Sequence, residues 1–317
     1  MVIPLLLVIA GFVCLLFGAN WLVDGASALA RKYNVPDLAI GLTIVAFGTS
    51  APELVVNVIA SSGGASDIVL GNIIGSNNFN LFIILCLSGM IFPISVQSST
   101  AWKEIPVSLF ITVLLIFLLN DFTFSGQTHS GRVDGVVMLV LFCLFLYYVF
   151  TQMKNDPVAR TEVSHNSTGK VWGLIIIGLA GLVLGGQLVV ANSVIIANNL
   201  GVSEKIIGLT IVAAGTSLPE LLTSVVAALK KNPDIAIGNV IGSNIFNILL
   251  ILAISSIIKP IDYNPKFNTD LYILAGGTVF LLTSMLTGQR KRLDRWEAGI
   301  LFACYTAYMI YLVQGEM

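Results

Sequence analysis

The chain alternates long apolar runs with short polar or Gly/Pro breaks. Ten runs stand out, near residues 3–30, 38–61, 68–91, 104–120, 132–151, 171–198, 205–229, 235–258, 269–287 and 295–314. Runs of about 20 apolar residues match the hydrocarbon thickness of a bilayer, so each predicts a spanning helix. The first run, MVIPLLLVIAGFVCLLFG, has no basic leader and continues apolar, which reads as a retained helix rather than a cleaved signal. The only long polar stretch, 152–170, is a linker between residues 1–151 and 171–317, with five runs on either side. The predicted class is an all-α polytopic membrane protein of ten transmembrane helices.

The two halves repeat each other. Residues 41–54 read GLTIVAFGTSAPEL and residues 208–221 read GLTIVAAGTSLPEL, identical at 12 of 14 positions and offset by 167. The same offset aligns DIVLGNIIGSNNFN at 67–80 with DIAIGNVIGSNIFN at 234–247, and Pro93-Ile94 with Pro260-Ile261. Near the ends of the halves it slips to 163, where Arg132-Val-Asp-Gly faces Arg295-Trp-Glu-Ala. Of the 16 Lys and Arg residues, 12 fall in the loops after spans 1, 3, 5, 7 and 9, and 4 on the other side. By the positive-inside rule those odd loops are cytoplasmic and both termini lie outside the cytoplasm. Five spans per half then insert the second half upside down, the inverted-repeat plan of alternating-access carriers.

Composition narrows the class further. Hydrophobic residues make up 56% and charged residues only 10%, with a mean hydropathy of +0.92, against about a quarter charged in soluble domains. The lipid bilayer is the expected surrounding and the cell (inner) membrane the location. A net charge of −1 offers no basic face to nucleic acid. The four cysteines stand singly in apolar runs, without metal or redox spacing, and read as buried thiols. His129 and His165 sit in loops and need no role.

Against this apolar background the duplicated strings are polar, and each carries a glutamate at membrane depth, a functional-site signal by default. Pro52 and Pro219 lack an N–H, which frees carbonyls one turn earlier and breaks the helix. Such breaks are tolerated only where the freed groups are buried in protein or line a wet cavity. Thr49 and Ser50 lie four and three residues before Glu53, and Thr216 and Ser217 stand likewise to Glu220, which puts the hydroxyls on the glutamate's face. Ser76 and Asn80, and Ser243 and Asn247, are each four apart on one helical face; Asn77 and Asn244 lie off that face and support it. The set is all oxygen, which favours hard cations over zinc or copper. Two glutamates give a charge of −2, which one Ca²⁺ neutralises or Na⁺ and protons replace stepwise. Small residues such as Gly41, Gly75, Gly208 and Gly242 read as packing residues. Asp67 and Asp234 read as helix N-caps, Asp24 as a local partner of Arg31-Lys32, and Asn57 as either pathway lining or packing.

At these residues the chain resembles the cation/Ca²⁺ antiporter superfamily, in its prokaryotic sodium/calcium exchanger branch. The likeness rests on the duplicated G-T-S-x-P-E and G-N-x-x-G-S-N-x-x-N strings and on a ten-helix length with a short central loop. It implies that helices 2, 3, 7 and 8 enclose the cation sites, with Glu53 and Glu220 as bridging carboxylates. Oxygens would come from Thr49, Ser50, Thr216, Ser217, Ser76 and Ser243 and from the carbonyls of Ala46 and Ala213. Asn80 and Asn247 would flank the centre. Several relatives carry aspartate where this chain has Asn247, which separates it from exchange tied to that acid. The expected activity is secondary antiport of Na⁺ for Ca²⁺ in the direction of Ca²⁺ extrusion, without a resident cofactor and without enzymatic chemistry. Proton-coupled exchange of Ca²⁺ or another divalent cation on the same fold is the alternative. A cation channel ranks lower for want of a selectivity-filter-like loop. Oligomeric state is not legible in the sequence.

Overall fold

The computed structural model describes residues 2–95, 103–120, 129–155, 167–200, 213–285 and 292–316. In chain order the elements are α1 (Val2–Tyr33), α2a (Asp37–Thr49), α2b (Ala51–Gly63), α3 (Ser66–Ile91), β1 (Ile94–Ser95), α4 (Ile105–Leu119), β2 (His129–Ser130) and α5 (Arg132–Asn155). The second half continues with α6 (Thr168–Asn199), α7a (Ala213–Thr216), α7b (Leu218–Leu229), α8 (Pro233–Ile258), β3 (Ile261–Asp262), α9 (Asn268–Ser284), β4 (Arg292–Leu293) and α10 (Arg295–Glu316). Among the described residues five continuous helices are long and apolar enough to cross a membrane, and the bent pair α2a–α2b makes a sixth. Helices α4 and α7b are shorter and apolar.

Apolar side chains face outward as well as inward. Leu6, Phe17, Val133, Tyr147 and Ile176 are exposed, while the buried core lies where α2, α3 and α8 meet. That inversion of the soluble pattern suits a lipid surround, in which every backbone polar group must be satisfied within its own helix. Helices α1 and α6 pack antiparallel through glycine. A Cβ on Gly18 would lie 2.8 Å from the carbonyl oxygen of Gly178, and one on Gly185 2.7 Å from that of Gly11.

The two small sheets record the repeat. Ile94 pairs with Leu293 and Ser95 with Arg292; Ile261 pairs with Ser130 and Asp262 with His129. Shifting Ile94 by 167 gives Ile261, and shifting Ser130 by 163 gives Leu293, so each pairing maps onto the other. The offset slip therefore falls between β1 and β2 in the first half and between β3 and β4 in the second. The turns that follow match too: Asp134 Oδ2 accepts from Gly131 N at 2.7 Å, and Glu297 Oε2 from Asp294 N at 2.9 Å.

Four expectations change in detail. The linker is shorter than 152–170, because α5 runs on to Asn155 and α6 starts at Thr168, with Ser167 capping it through Lys170 N. Asp67 and Asp234 occupy first turns rather than caps; Ala65 precedes α3, and Asn232 caps α8 by accepting from Ile235 N. A first-turn carboxylate complements the helix dipole without a capping bond. Asp24 pairs with Lys230 of the second half at 2.7 Å, not with Arg31-Lys32, because the end of α7b packs beside α1. Of the cysteines only Cys86 is buried; Cys143 and Cys304 are exposed on the outer face, where lipid accepts a thiol as readily as a protein core does.

Candidate cation site

Both glutamates sit immediately after a helix break. α2a ends at Thr49, Ser50 adopts φ −81° and ψ 6°, and α2b leaves at 47° with Pro52 in its first turn. Ser217 (φ −88°, ψ 7°) breaks α7a from α7b in the same way. Proline is well tolerated there, because the N–H it lacks is one that a helix start leaves unpaired. Local backbone widening marks the facing helices as well. A π-helical turn begins at Asn80 in α3 and another at Asn247 in α8, and π-turns are frequent at functional sites.

The breaks carry the side chains across the axis. Ser50 Oγ donates to Glu220 Oε1 at 3.0 Å, and Ser217 Oγ to Glu53 Oε1 at 3.2 Å. Each glutamate thus receives its serine from the other half, where i+3 spacing alone had paired it with its own. Ser243 reaches Glu220 Oε1 at 3.5 Å, and Ser217 Oγ lies 3.1 Å from Ser76 Oγ. Thr216 stands beside Glu53 and Thr49 beside Glu220. Glu53 and Glu220 are both 1% exposed. No cationic side chain pairs with either among the described residues, and the Oε2 atoms of both are buried without a hydrogen-bond donor. Buried charge in that state is expensive unless a counter-charge joins it.

Asn80 and Asn247 lie one turn beyond Ser76 and Ser243, and their Oδ1 atoms are likewise buried without donors. Ala46 is fully buried, and its carbonyl accepts from Ser50 N at 3.0 Å and lies 3.3 Å from Thr49 Oγ1. Ala213 opens α7a. Sequence reasoning misses Asn239, which ties the halves together: its Oδ1 is 3.0 Å from Thr49 Oγ1, and its Nδ2 donates to Glu220 O at 3.2 Å and Ser224 Oγ at 2.9 Å. Its signal is the second position of the duplicated G-N-x-x-G-S-N string. The mate Asn72 instead accepts from Ser76 at 3.3 Å. Asn57 Nδ2 donates to Glu53 O at 2.7 Å and so holds the glutamate's own backbone. Beside the first break, Phe47, Ser50, Leu54 and Phe246 line a small pocket.

A family model described as sodium/calcium exchanger protein matches residues 3–151 and 170–314. The chain belongs to that family. It is 30% identical to the sodium/calcium exchanger MaX1 of Methanosarcina acetivorans over 97% of both chains. To the inner membrane protein YrbG of Escherichia coli it is 34% identical, over 95% of this chain and 94% of that one. Its fold superposes on a solved structure of the sodium-calcium exchanger NCX_Mj soaked with Na⁺ and Sr²⁺, with a TM-score of 0.85 and 31% identity over 98% of both chains. Na⁺ and Ca²⁺ are the substrates of this exchanger family. Among the described residues, Glu53 and Glu220 are two buried carboxylates, each with one oxygen left without a donor.

Proposed function

We propose that this exchanger carries Na⁺ one way and Ca²⁺ the other through a single site built on Glu53 and Glu220, and that an inward Na⁺ gradient drives Ca²⁺ out of the cell. One observation carries the reading. Two buried carboxylates, each held at Oε1 by the opposite half, keep Oε2 without a protein partner. Their combined charge of −2 is matched by one Ca²⁺ or filled stepwise by Na⁺, so the two ions compete for the same oxygens. Ser50, Ser217, Ser76, Ser243, Thr49 and Thr216 add hydroxyls. Asn80 and Asn247 add amide oxygens, and Ala46 and Ala213 add carbonyls as the breaks flex. Oxygen sets of this kind suit Ca²⁺ and Na⁺.

Residues 1–151 and 171–317 act as inverted five-helix repeats around this site, in the cytoplasmic (inner) membrane, with both termini on its outer side. Support comes from the 12:4 distribution of Lys and Arg and from the matched sheet registers. The deciding experiment is ⁴⁵Ca²⁺ uptake into proteoliposomes under imposed Na⁺, K⁺ or H⁺ gradients, repeated with Glu53→Gln and Glu220→Gln. Na⁺-driven uptake that both substitutions abolish is the expected result. Uptake surviving both would remove the site assignment, and uptake driven by H⁺ alone would replace Na⁺ as the counter-ion.

A further inference from the structure

Four asparagines form a closed, two-fold arrangement between α3 and α8. Asn77 Nδ2 donates to the carbonyl of Asn244, and Asn244 Nδ2 to the carbonyl of Asn77, both at 3.3 Å. Asn247 Nδ2 donates to Asn77 Oδ1 at 2.9 Å, and Asn80 Nδ2 to Asn244 Oδ1 at 3.0 Å. All four are buried. A side-chain amide presents a donor end and an acceptor end of nearly the same shape, and its choice is set by its neighbours. Here the choice starts from main-chain carbonyls, which only accept. They fix the NH₂ ends of Asn77 and Asn244, whose Oδ1 atoms therefore face Asn247 and Asn80. Those two must answer with NH₂, which leaves their own Oδ1 atoms as the free ends.

We infer that Asn77 and Asn244 are positioning residues that lock Asn247 and Asn80, each in the opposite half, with oxygen rather than NH₂ toward the transported cation. The inference rests on the proposed cation site. An unlocked amide could turn a partially positive NH₂ toward the ion, and one face of the cage would then repel what it should bind. The lock crosses between halves: Asn77 on α3 governs the α8 oxygen, and Asn244 on α8 governs the α3 oxygen. Neighbouring Asn78 is equally buried but donates outward to Asp270 O at 3.1 Å, and its mate in the repeat is Ile245. It belongs to packing, not to the lock.

The test is Na⁺-driven ⁴⁵Ca²⁺ uptake by the full chain in proteoliposomes, with KM and maximal rate measured separately. Asn77→Ala is expected to raise the Ca²⁺ KM by about tenfold, the scale of one lost hydrogen bond at an ion's ligand, and to keep the maximal rate within about twofold. Because it acts through Asn247, the double variant Asn77→Ala/Asn247→Ala should match the single Asn247→Ala variant in KM, a non-additivity that independent sites do not show. Asn78→Ile should leave KM unchanged. An unchanged KM in Asn77→Ala, or multiplying effects in the double variant, would overturn the inference. If Asn77→Ala does not fold, the mirror cycle of Asn244→Ala with Asn80→Ala decides by the same criteria. Glu53→Gln and Glu220→Gln run alongside. If they abolish uptake while the asparagine cycles show independence, the lock fails and the site stands. If they retain uptake, both readings fall.

Discussion

The α1–α6 contact offers a prediction whose sign differs between two glycines on one helix. Gly178 of α6 faces α1 so closely that a Cβ would sit 2.6 Å from Leu22 N and 2.9 Å from Gly18 O. Both atoms are backbone, so no rotamer change can relieve the overlap and the helices must part. Overpacking of this kind costs about 1–3 kcal/mol, while the gain in helix propensity from Gly to Ala returns only about 1 kcal/mol. Gly173, five residues earlier on the same helix, has nothing within 4 Å of its Cβ position. There Ala brings the propensity gain alone, about 0.5–1 kcal/mol of stabilisation. The two variants should therefore separate by about 0.5–3 kcal/mol, or about 1–12 °C in melting temperature at about 2–4 °C per kcal/mol. Thermal unfolding of the detergent-solubilised protein, followed by intrinsic tryptophan fluorescence, measures the gap. Gly178→Ala melting at or above Gly173→Ala would refute the close-packed contact.

Other substitutions test separate features. Gly64 (φ 77°) and Lys231 (φ 58°) are mates in the repeat, and both end a helix in the left-handed region. Gly64→Ala should destabilise and Lys231→Gly stabilise, each by about 1 kcal/mol in the same melting assay. Tyr148 donates to Glu104 Oε1 at 2.7 Å, and Glu104 is only 3% exposed. Tyr148→Phe keeps the ring but strands the carboxylate, and should cost about 1–3 kcal/mol. Asp24 is more than half exposed beside Lys230, so Asp24→Asn should cost less than about 1 kcal/mol and vanish in high salt. Glu220 Oε1 receives hydroxyls from Ser50 and Ser243, while Glu53 Oε1 receives Ser217. Ser217→Ala should therefore lower Ca²⁺ uptake more than Ser50→Ala, and equal losses would contradict that asymmetry.

Much of the fold was legible because membrane constraints leave few choices. Among the described residues, runs of apolar residues located the helices within a few residues, residues 205–212 of the run at 205–229 lying outside them, and Pro52 and Pro219 located the breaks at Ser50 and Ser217. Even the slip of offset from 167 to 163 had a structural meaning, since it falls between paired strands. What stayed hidden depends on neighbours distant in sequence. Asp24 finds Lys230 across 206 positions, and nothing in its own helix announces that partner. Asn232 takes the capping role expected of Asp234 because the helix starts two residues sooner, at Pro233. The outward Cys143 and Cys304 follow from lipid taking the place of water, so that apolar context no longer means interior.

The crossed contacts share one cause. Helical spacing reveals only neighbours on the same helix, and it put Thr49 and Ser50 on the face of Glu53, whereas across the break at Ser50 both stand beside Glu220. In a pair of inverted repeats, however, a residue near the axis is closest to residues adjacent to its own mate. Ser50 therefore meets Glu220, the neighbour of its mate Ser217, and Ser217 meets Glu53. Asn77 meets Asn247, three residues past its mate Asn244, and Asn80 meets Asn244. Each half supplies its own carboxylate, and the other half supplies the donor that orients it. Neither half can hold this arrangement alone, and a movement of one half is felt directly at the other's glutamate. In the proposed site that dependence would link the two halves to one shared ion, because any displacement that re-aims Ser50 or Ser217 alters the hydrogen bonding of both glutamates together.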